Sequence, residues 1–195
     1  MAGAVLERFR REARELAERE GLAEVAAAHR FVPLDHGEPL DTARLRPDSG
    51  TLTGLACGVC TVGPRLEQRV SALFAERRMS LALALDALGN ELLRQAVRRL
   101  QDRMLAEARR QGLTMAGELR PGDPGMALDA QPAVLRLAGA ERIGVTVTHG
   151  LALSPAKSAS MVLGVGIDLP PAHWSRCDDC PTAPRCAMAR DREKV

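Results

Sequence analysis

Aromatic side chains are scarce in this sequence of 195 residues, which contains three phenylalanines, one tryptophan and no tyrosine. Proteins that bind single-stranded nucleic acid stack its bases on aromatic rings, so a platform of that kind is not expected. The formal net charge is only +2, and acidic and basic residues are interspersed. Because a nucleic-acid footprint needs clustered positive charge, the sequence favours other classes of ligand.

Long hydrophobic runs are missing as well. No apolar stretch approaches the roughly 18 residues that cross a bilayer, and the N-terminus, M-A-G-A-V-L-E-R, lacks the apolar core of a signal peptide. We therefore expect a cytoplasmic protein with no membrane partner. Neither a Walker loop nor a Rossmann fingerprint is present, and the length suits one domain with a small appendage.

Apolar periodicity predicts the secondary structure. Helices are expected over 4–28, with Gly21 as a candidate break, from Pro64 to Phe74, from an N-cap at Ser80 to about Arg110, and over Gln131–Leu137. Strands are expected over Thr51–Val62, Ile143–Val147 and Met161–Val165, with loop or edge strand at Phe31–Leu34 and a rigid turn over 120–125. This order lacks repeated βαβ units and indicates an α+β fold with a mixed or antiparallel sheet. The predicted divisions are a helical segment and loop over 1–48, an α+β core over 49–170 and a cysteine-bearing tail over 171–195.

Two basic features of the sequence have ordinary and functional interpretations. Arg94, Arg98, Arg99 and Arg103 form a stripe on the long helix, which is typical of a solvated face. Lys157 is one of only two lysines among 27 basic residues. It lies in a small-residue loop with several hydroxyls, a setting that suits a phosphate, a carboxylate or a polar cofactor. Its ammonium is either available to such a ligand or simply solvated.

The cysteines form two groups. Cys177-x2-Cys180-x5-Cys186 brings three thiolates within ten residues, a spacing that suits an iron–sulfur cluster or zinc, with free thiols as the alternative. A fourth ligand would come from His173, from Cys57 or Cys60, or from outside the protein. Cys57 and Cys60 are three apart on a predicted strand, so their side chains point to opposite faces and we interpret them as small core residues. His149 has no carboxylate or nucleophile nearby in sequence, so no catalytic role is assigned to it.

An ordered set of short motifs carries a family resemblance. The motifs are Thr61-Val-Gly-Pro-Arg-Leu-Glu67, Leu85-Asp-Ala-Leu-Gly-Asn90, Pro124-Gly125, Arg142-Ile-Gly144, Thr148 and Ser154-Pro-Ala-Lys-Ser-Ala-Ser160. Over roughly residues 50–190 the chain resembles the activation (AdoMet-binding) domain of cobalamin-dependent methionine synthase. It is similar above all to short stand-alone relatives with a P-x-K-S-x-S segment and a cysteine-bearing tail.

The resemblance implies helices around a twisted, mostly antiparallel sheet, and binding of S-adenosylmethionine (AdoMet). The family's R-x-x-x-G-Y segment contacts AdoMet and is matched by Arg120, Pro124, Gly125 and Met126, with different spacing and with methionine in place of tyrosine. The family's T-E-S becomes Thr148-His149-Gly150, which removes a carboxylate. Further ligand-pocket residues would come from the loop, with Lys157 at the pocket mouth: Thr148, Lys157 and Ser158.

The function implied is that of a stand-alone reactivation subunit. It would bind AdoMet and support reductive methylation of the cobalamin on a corrinoid protein or cobalamin-dependent methyltransferase. In that scheme an iron–sulfur cluster on Cys177, Cys180 and Cys186 supplies the electron, and zinc is the alternative metal. Two other functions stay open, an independent AdoMet-dependent methyltransferase and a non-catalytic iron–sulfur or zinc protein that uses the fold as a docking module.

Overall fold

The computed structural model of the protein describes residues 2–35, 37–38 and 40–170. In chain order the helices and strands are α1 (Ala2–Glu20), β1 (Ala26–Pro33), β2 (Thr51–Thr61), α2 (Arg65–Ala75), α3 (Met79–Arg110), β3 (Thr114–Leu119), α4 (Gln131–Ala138), β4 (Thr146–Val147), β5 (Leu153–Ser154) and β6 (Ser158–Ile167). Short 3-10 helices lie at Ala43–Leu45, Leu128–Ala130 and Ala140–Ile143.

The main sheet has four strands in the order β1-β2-β6-β3, and every neighbouring pair is antiparallel. The two central strands, β2 and β6, pair with Val59 opposite Ser160 and Cys60 opposite Ala159. The short strands β4 and β5 form a separate hairpin. The predicted α+β class with a mostly antiparallel sheet is therefore confirmed.

Alternation along β2 distributes the core between the two faces of the sheet. Cys57 and Val59 pack in a cluster that includes Val134 of α4, whereas Cys60 packs in a cluster with Leu100 and Met104 of α3. Both thiols are buried, so the interpretation of these cysteines as core residues on opposite faces is confirmed. A third cluster joins α1, α2 and α3 away from the sheet.

Gly58 explains how closely α3 approaches β2. A Cβ built on this residue would stand 3.1 Å from Cδ2 of Leu100 and 3.2 Å from Sδ of Met104. A larger residue at this position would require the side chains of Leu100 and Met104 to shift. The small residues of β2 therefore let a long helix lie directly on the sheet.

The predicted helix over 4–28 is wrong in its last third. Helix α1 ends at Glu20, Gly21 has φ +58°, and residues 26–33 form the edge strand β1. Alanine favours helix, but pairing with β2 along the whole strand outweighs that local preference. The long helix is confirmed, although it begins at Met79, so Ser80 is inside it and is not the N-cap.

Two strand predictions also need correction. Ile143 ends a 3-10 helix, Gly144 follows with φ +67°, and only Thr146–Val147 is extended, in the small hairpin. Strand β3 was not predicted, because its sequence T-M-A-G-E-L does not alternate and Gly117 has φ +69°. Strand β3 is stabilised by its pairing with β6, although its local sequence does not favour a strand.

The division of the chain at residue 48 stays a prediction. Strand β1, from the first predicted segment, pairs with β2 of the second. In the part of the chain that the structure describes, no helix has the length and hydropathy of a membrane span.

Candidate functional site

A cleft of about 740 Å³ opens between the outer face of α3 and the sheet. Its polar residues on the helix include Asn90, Gln95, Arg98 and Gln101, and Arg120 enters at the end of β3. Ala159 of β6 and the apolar residues Leu93 and Val97 complete the lining. This volume is in the range of small-molecule sites, and the lining combines apolar surface with a few polar groups, as such sites do.

Arg120 is the cleft's best-organised cation. Its Nε and Nη2 both contact Oε1 of Glu118, at 2.6 Å each. Nε and Nη2 form one edge of the planar guanidinium, so the opposite edge, Nη1 with the other hydrogen of Nη2, is not used by Glu118. No hydrogen bond of Nη1 is found within the described residues. That edge has the geometry that binds a carboxylate with two parallel hydrogen bonds.

Glu118 is itself anchored to α3. Its second oxygen, Oε2, accepts a hydrogen bond of 2.7 Å from Nε2 of Gln101. The side chains of Glu118 and Arg120 are each only about a fifth exposed, at 22% and 21%. The chain Gln101–Glu118–Arg120 therefore connects the helix to the sheet edge beside the cleft.

The turn after Arg120 is held by local hydrogen bonds. Asp123 N–H donates to the Arg120 carbonyl at 2.9 Å, and Asp123 Oδ2 accepts from the Arg120 N–H at 3.2 Å. Gly122 N–H donates to the Met126 carbonyl at 2.9 Å. Gly125 has φ +90°, and a Cβ there would stand 2.5 Å from Cδ of Arg44, so this position requires glycine.

The other predicted residues of this turn do not line the cleft. Met126 is buried in the cluster on the α4 face of the sheet. Its side chain therefore does not line this cleft, and its part in ligand binding stays a prediction. Pro124 and Gly125 are exposed and are absent from the cleft lining. Of the four residues predicted here, the structure brings Arg120 alone to the cleft.

Thr148 lies on the other side of the sheet. It is exposed, and its N–H donates to the Ala152 carbonyl at 2.8 Å in the turn of the β4–β5 hairpin. Val147 and Leu153 of that hairpin pack against the cluster on the α4 face, whereas the cleft lies on the α3 face. The structure therefore does not bring Thr148 together with Arg120.

Lys157 is near the cleft but its charge is engaged. Nζ contacts Oδ1 of Asp86 at 2.7 Å and donates to Oδ1 of Asn90 at 2.7 Å, and the side chain is 14% exposed. The expectation that this ammonium is available to a ligand at the pocket mouth, or merely solvated, needs correction, because α3 supplies both a counter-ion and an acceptor. Asn90 also lines the cleft.

Ser158 uses its hydroxyl inside the fold. Its Oγ makes hydrogen bonds with the Pro155 carbonyl at 2.7 Å and with Oγ1 of Thr61 at 2.8 Å. The preceding Ala156 N–H donates to Oε2 of Glu67 at 2.7 Å. These hydrogen bonds fix the end of the loop to β2 and α2. The hydroxyl of Ser158 is therefore used within the fold.

Burial makes both core thiols poor ligands at neutral pH. Burial raises the pKa of Cys57 to about 12. It raises the pKa of Cys60 to about 11, an effect that the positive charge of Arg120 and a backbone hydrogen bond from Ala159 partly oppose. Metals bind the thiolate, so either residue would have to lose its proton to act as the fourth ligand, and that role stays a prediction.

The predicted metal ligands Cys177, Cys180 and Cys186, together with His173, lie outside the described residues. Over 2–35, 37–38 and 40–170, no three His, Cys, Asp or Glu side chains are grouped so that they could hold a metal ion.

Sequence reasoning missed Glu118, Gln101 and Arg98. The arginine stripe of α3 was interpreted as a solvated face, but Arg94 and Arg98 line the cleft. A signal was present, since Arg94, Arg98 and Gln101 recur at helical spacing and mix amide with charge. Glu118 could have been found only with knowledge of β3, where residues two apart share a side.

Comparison with known proteins identifies the fold. No family model matches the chain, and no curated protein matches it. A solved structure does: the crystal structure of the MetH reactivation domain bound to AdoHcy, at a TM-score of 0.54 and 13% sequence identity. The match covers 99% of this chain and 74% of that one. At this identity the likeness is one of fold, and it agrees with the resemblance read from the sequence motifs.

Proposed function

We propose that this protein binds AdoMet in the cleft beside α3 and acts as a stand-alone reactivation subunit for a corrinoid-dependent methyltransferase. The observation that carries the proposal is the cleft with the guanidinium of Arg120 held at its edge. The fold likeness to a reactivation domain bound to AdoHcy supports the ligand class.

Arg120 fits the amino-acid end of AdoMet. Its unused edge would take the ligand's carboxylate in two parallel charge-assisted hydrogen bonds. The ligand's ammonium needs acceptors. In the same lining, α3 carries the amide oxygen of Gln95 and the carboxylate of Glu91, whose oxygens also accept hydrogen bonds from Arg94 and Gln95. A zwitterionic head group therefore suits a cleft that alternates guanidinium, carboxylate and amide groups.

The adenosyl end would rest on apolar surface. Leu93, Val97 and Ala159 line the cleft, whereas none of the described aromatic residues, Phe9, Phe31 and Phe74, does. Base stacking on an aromatic ring contributes about 1–3 kcal/mol, so binding without a ring from the described residues is expected to be weaker by a comparable amount.

In the proposed reaction the corrinoid of the partner, reduced by one electron, would accept the methyl group of AdoMet, and AdoHcy would be released. The subunit's own residues would hold AdoMet by its amino-acid end, so that the methyl group is presented at the open side of the cleft. No residue of this chain needs to accept a proton in that step.

The electron source is the second part of the proposal. Cys177, Cys180 and Cys186 would hold an iron–sulfur cluster, a class of centre whose reduction potential can lie several hundred millivolts below zero. Anaerobic purification followed by metal analysis, absorption and electron paramagnetic resonance tests this. A brown protein that bleaches with dithionite supports the relay. One zinc and no iron per chain would remove the relay and leave the tail as a structural clip.

Calorimetric titration of the purified protein with AdoMet and AdoHcy tests the ligand. Saturable binding of either supports the proposal, and no heat with either contradicts it and favours a docking module without a nucleoside site. Genomic neighbours would then supply the partner: incubation with its cob(II)alamin form, AdoMet and a low-potential reductant should produce methylcobalamin absorption. Methylation of a small acceptor without any corrinoid protein would instead favour an independent methyltransferase.

A further inference from the structure

Glu118 and Gln101 form an ordered connection behind the cleft that ligand binding alone does not explain. We infer that Glu118, held by Gln101, is a positioning residue that fixes which edge of the Arg120 guanidinium faces the ligand's carboxylate. This inference rests on the proposed function. It adds a residue that sets how the cleft recognises an α-amino acid carboxylate.

The contacts divide the carboxylate of Glu118 between two tasks. Oε1 receives both N–H groups on one edge of Arg120, at 2.6 Å, and Oε2 receives Nε2 of Gln101 at 2.7 Å. Each oxygen is therefore committed, which fixes the plane of the carboxylate. A guanidinium with two N–H groups on one fixed oxygen is restricted in rotation, which limits the orientations that its other edge can take.

A bulge in β3 is what turns these side chains toward the cleft. The pairing with β6 runs from Ala116 opposite Gly164 to Leu119 opposite Val162, so three steps on β3 match two on β6. Before the irregularity Met115 packs in the α3-side cluster, and after it Leu119 packs in the α4-side cluster. In a regular strand these two residues would share a face.

The extra residue therefore reverses the alternation after Gly117. With Leu119 on the α4 face, Glu118 and Arg120 point to the α3 face, where Gln101 and the cleft lie. Gly117 has φ +69°, and a Cβ there would stand 2.8 Å from Cδ2 of Leu45. Bulges beside functional sites commonly re-aim a side chain in this way, and glycine is the residue that fits this one.

Positioning and charge neutralisation predict opposite results for Glu118. If Glu118 only neutralised Arg120, its removal would leave Arg120 more attractive to a carboxylate. If it positions Arg120, its removal frees the guanidinium to rotate, and carboxylate binding falls. Glu118→Ala removes both charge and hydrogen bonds, whereas Glu118→Gln keeps an acceptor for Arg120 and can still pair with a flipped amide of Gln101.

A comparison of two ligands distinguishes a loss of carboxylate recognition from general damage to the cleft. AdoHcy carries the amino-acid end, and 5′-methylthioadenosine is the same adenosyl thioether without it. We expect Glu118→Ala to weaken AdoHcy binding at least tenfold and 5′-methylthioadenosine binding less than twofold in calorimetry. Glu118→Gln should return AdoHcy affinity to within about threefold of the wild type. Unchanged or tighter AdoHcy binding by Glu118→Ala overturns the inference, as does an equal loss for both ligands.

A readout without ligand distinguishes failure of this inference from failure of the proposed function. The Nε–H signal of Arg120, assigned by its loss in Arg120→Lys, should exchange with water at least tenfold faster in Glu118→Ala and slowly again in Glu118→Gln. An exchange rate indifferent to Glu118 overturns the positioning role whether or not AdoHcy binds. Slow exchange in a wild type that binds neither AdoMet nor AdoHcy overturns the proposed function, and with it the role of Glu118 toward a ligand.

Discussion

The segments around Arg120 and Lys157 each present a basic residue next to α3, and they use that residue differently. Lys157 has both a counter-ion, Asp86, and an acceptor, Asn90, on the helix. Arg120 lines the cleft and has one carboxylate along one edge, which leaves the donors of its other edge outside that contact. An ammonium whose donors are engaged ties a loop to a helix, whereas a guanidinium bonded along one edge is oriented and still able to bind.

The difference follows from the shapes of the two cations. An ammonium is a compact charge on a flexible stem, and the two acceptors at 2.7 Å engage two of its three N–H donors. A guanidinium has five donors in one plane, so one anion cannot satisfy it. Side-chain type, combined with the number of partners, therefore distinguishes a cation engaged within the fold from one whose donors are left for a ligand.

The largest expected effect is on stability, at Met126, whose buried side chain anchors the segment that follows Arg120. Met126→Ala should lower the free energy of unfolding by about 2–5 kcal/mol, because Met126 is buried and its removal leaves a cavity. Chemical denaturation measures this. Met79→Ala is the matched control, since Met79 is 61% exposed and its change should cost less than about 0.5 kcal/mol. Equal losses for the two variants would contradict the core position of Met126.

The next effect concerns Arg120 as the binding cation. Arg120→Ala should weaken AdoMet binding by about 1.5–3 kcal/mol, the worth of hydrogen bonds to a charged group. Calorimetry measures it, and circular dichroism checks the fold. Arg109→Ala removes an exposed arginine from the last turn of α3 and should leave the affinity unchanged. If both variants bind AdoMet as the wild type does, the cleft assignment fails.

An element of secondary structure could be predicted from the sequence when neighbouring residues determine it. Strand β2, helix α3 and the opposite-facing thiols followed from alternation and helical period, which are properties of consecutive residues. The predicted N-terminal helix was extended into what is strand β1, because the alanines of that strand favour helix locally. Strand β3 was missed because its bulge at Gly117 hides the alternation. Both strands are set by partners far along the chain.

The site residues divide in the same way. Arg120 was identified from its motif, and it does line the cleft. Thr148 and Met126 were assigned from neighbouring motif positions, but the sheet separates Thr148 from the cleft and the core takes the side chain of Met126. Glu118 and Gln101 carry no motif, and their contact depends on a one-residue bulge. No local pattern reports which face a bulge selects.

A smaller effect is expected for Lys157. Lys157→Met keeps the aliphatic stem but leaves Asp86 without its ion pair, and the free energy of unfolding should fall by about 1 kcal/mol. For a chain of this length that corresponds to roughly 2–4 °C in melting temperature. AdoMet affinity should stay within about twofold. Arg109→Met is the control, since it removes a charge from an exposed side chain in the last turn of α3 and should not alter the melting temperature. A large loss of affinity in Lys157→Met alone would restore Lys157 as a ligand contact.

The smallest expected effect uses a buried thiol as a sensor of the two cations. Arg120 lowers the pKa of Cys60, although burial dominates and raises it to about 11. The positive charge favours the thiolate, so Arg120→Ala should raise this pKa and reduce the thiolate fraction at any pH below it. The expected rise is small, because the interaction of two charges near a protein surface is worth on the order of 1 kcal/mol. A pH titration of the Cβ carbon signals of the two cysteines, followed by NMR, measures each pKa separately. The pKa of Cys57, which burial alone raises to about 12, should be unaffected in Arg120→Ala. Lys157→Met should leave both pKa values unchanged, because the Lys157 charge is balanced by Asp86. A higher pKa of Cys60 in Lys157→Met, with no change in Arg120→Ala, would reverse the assignment of which cation faces the sheet.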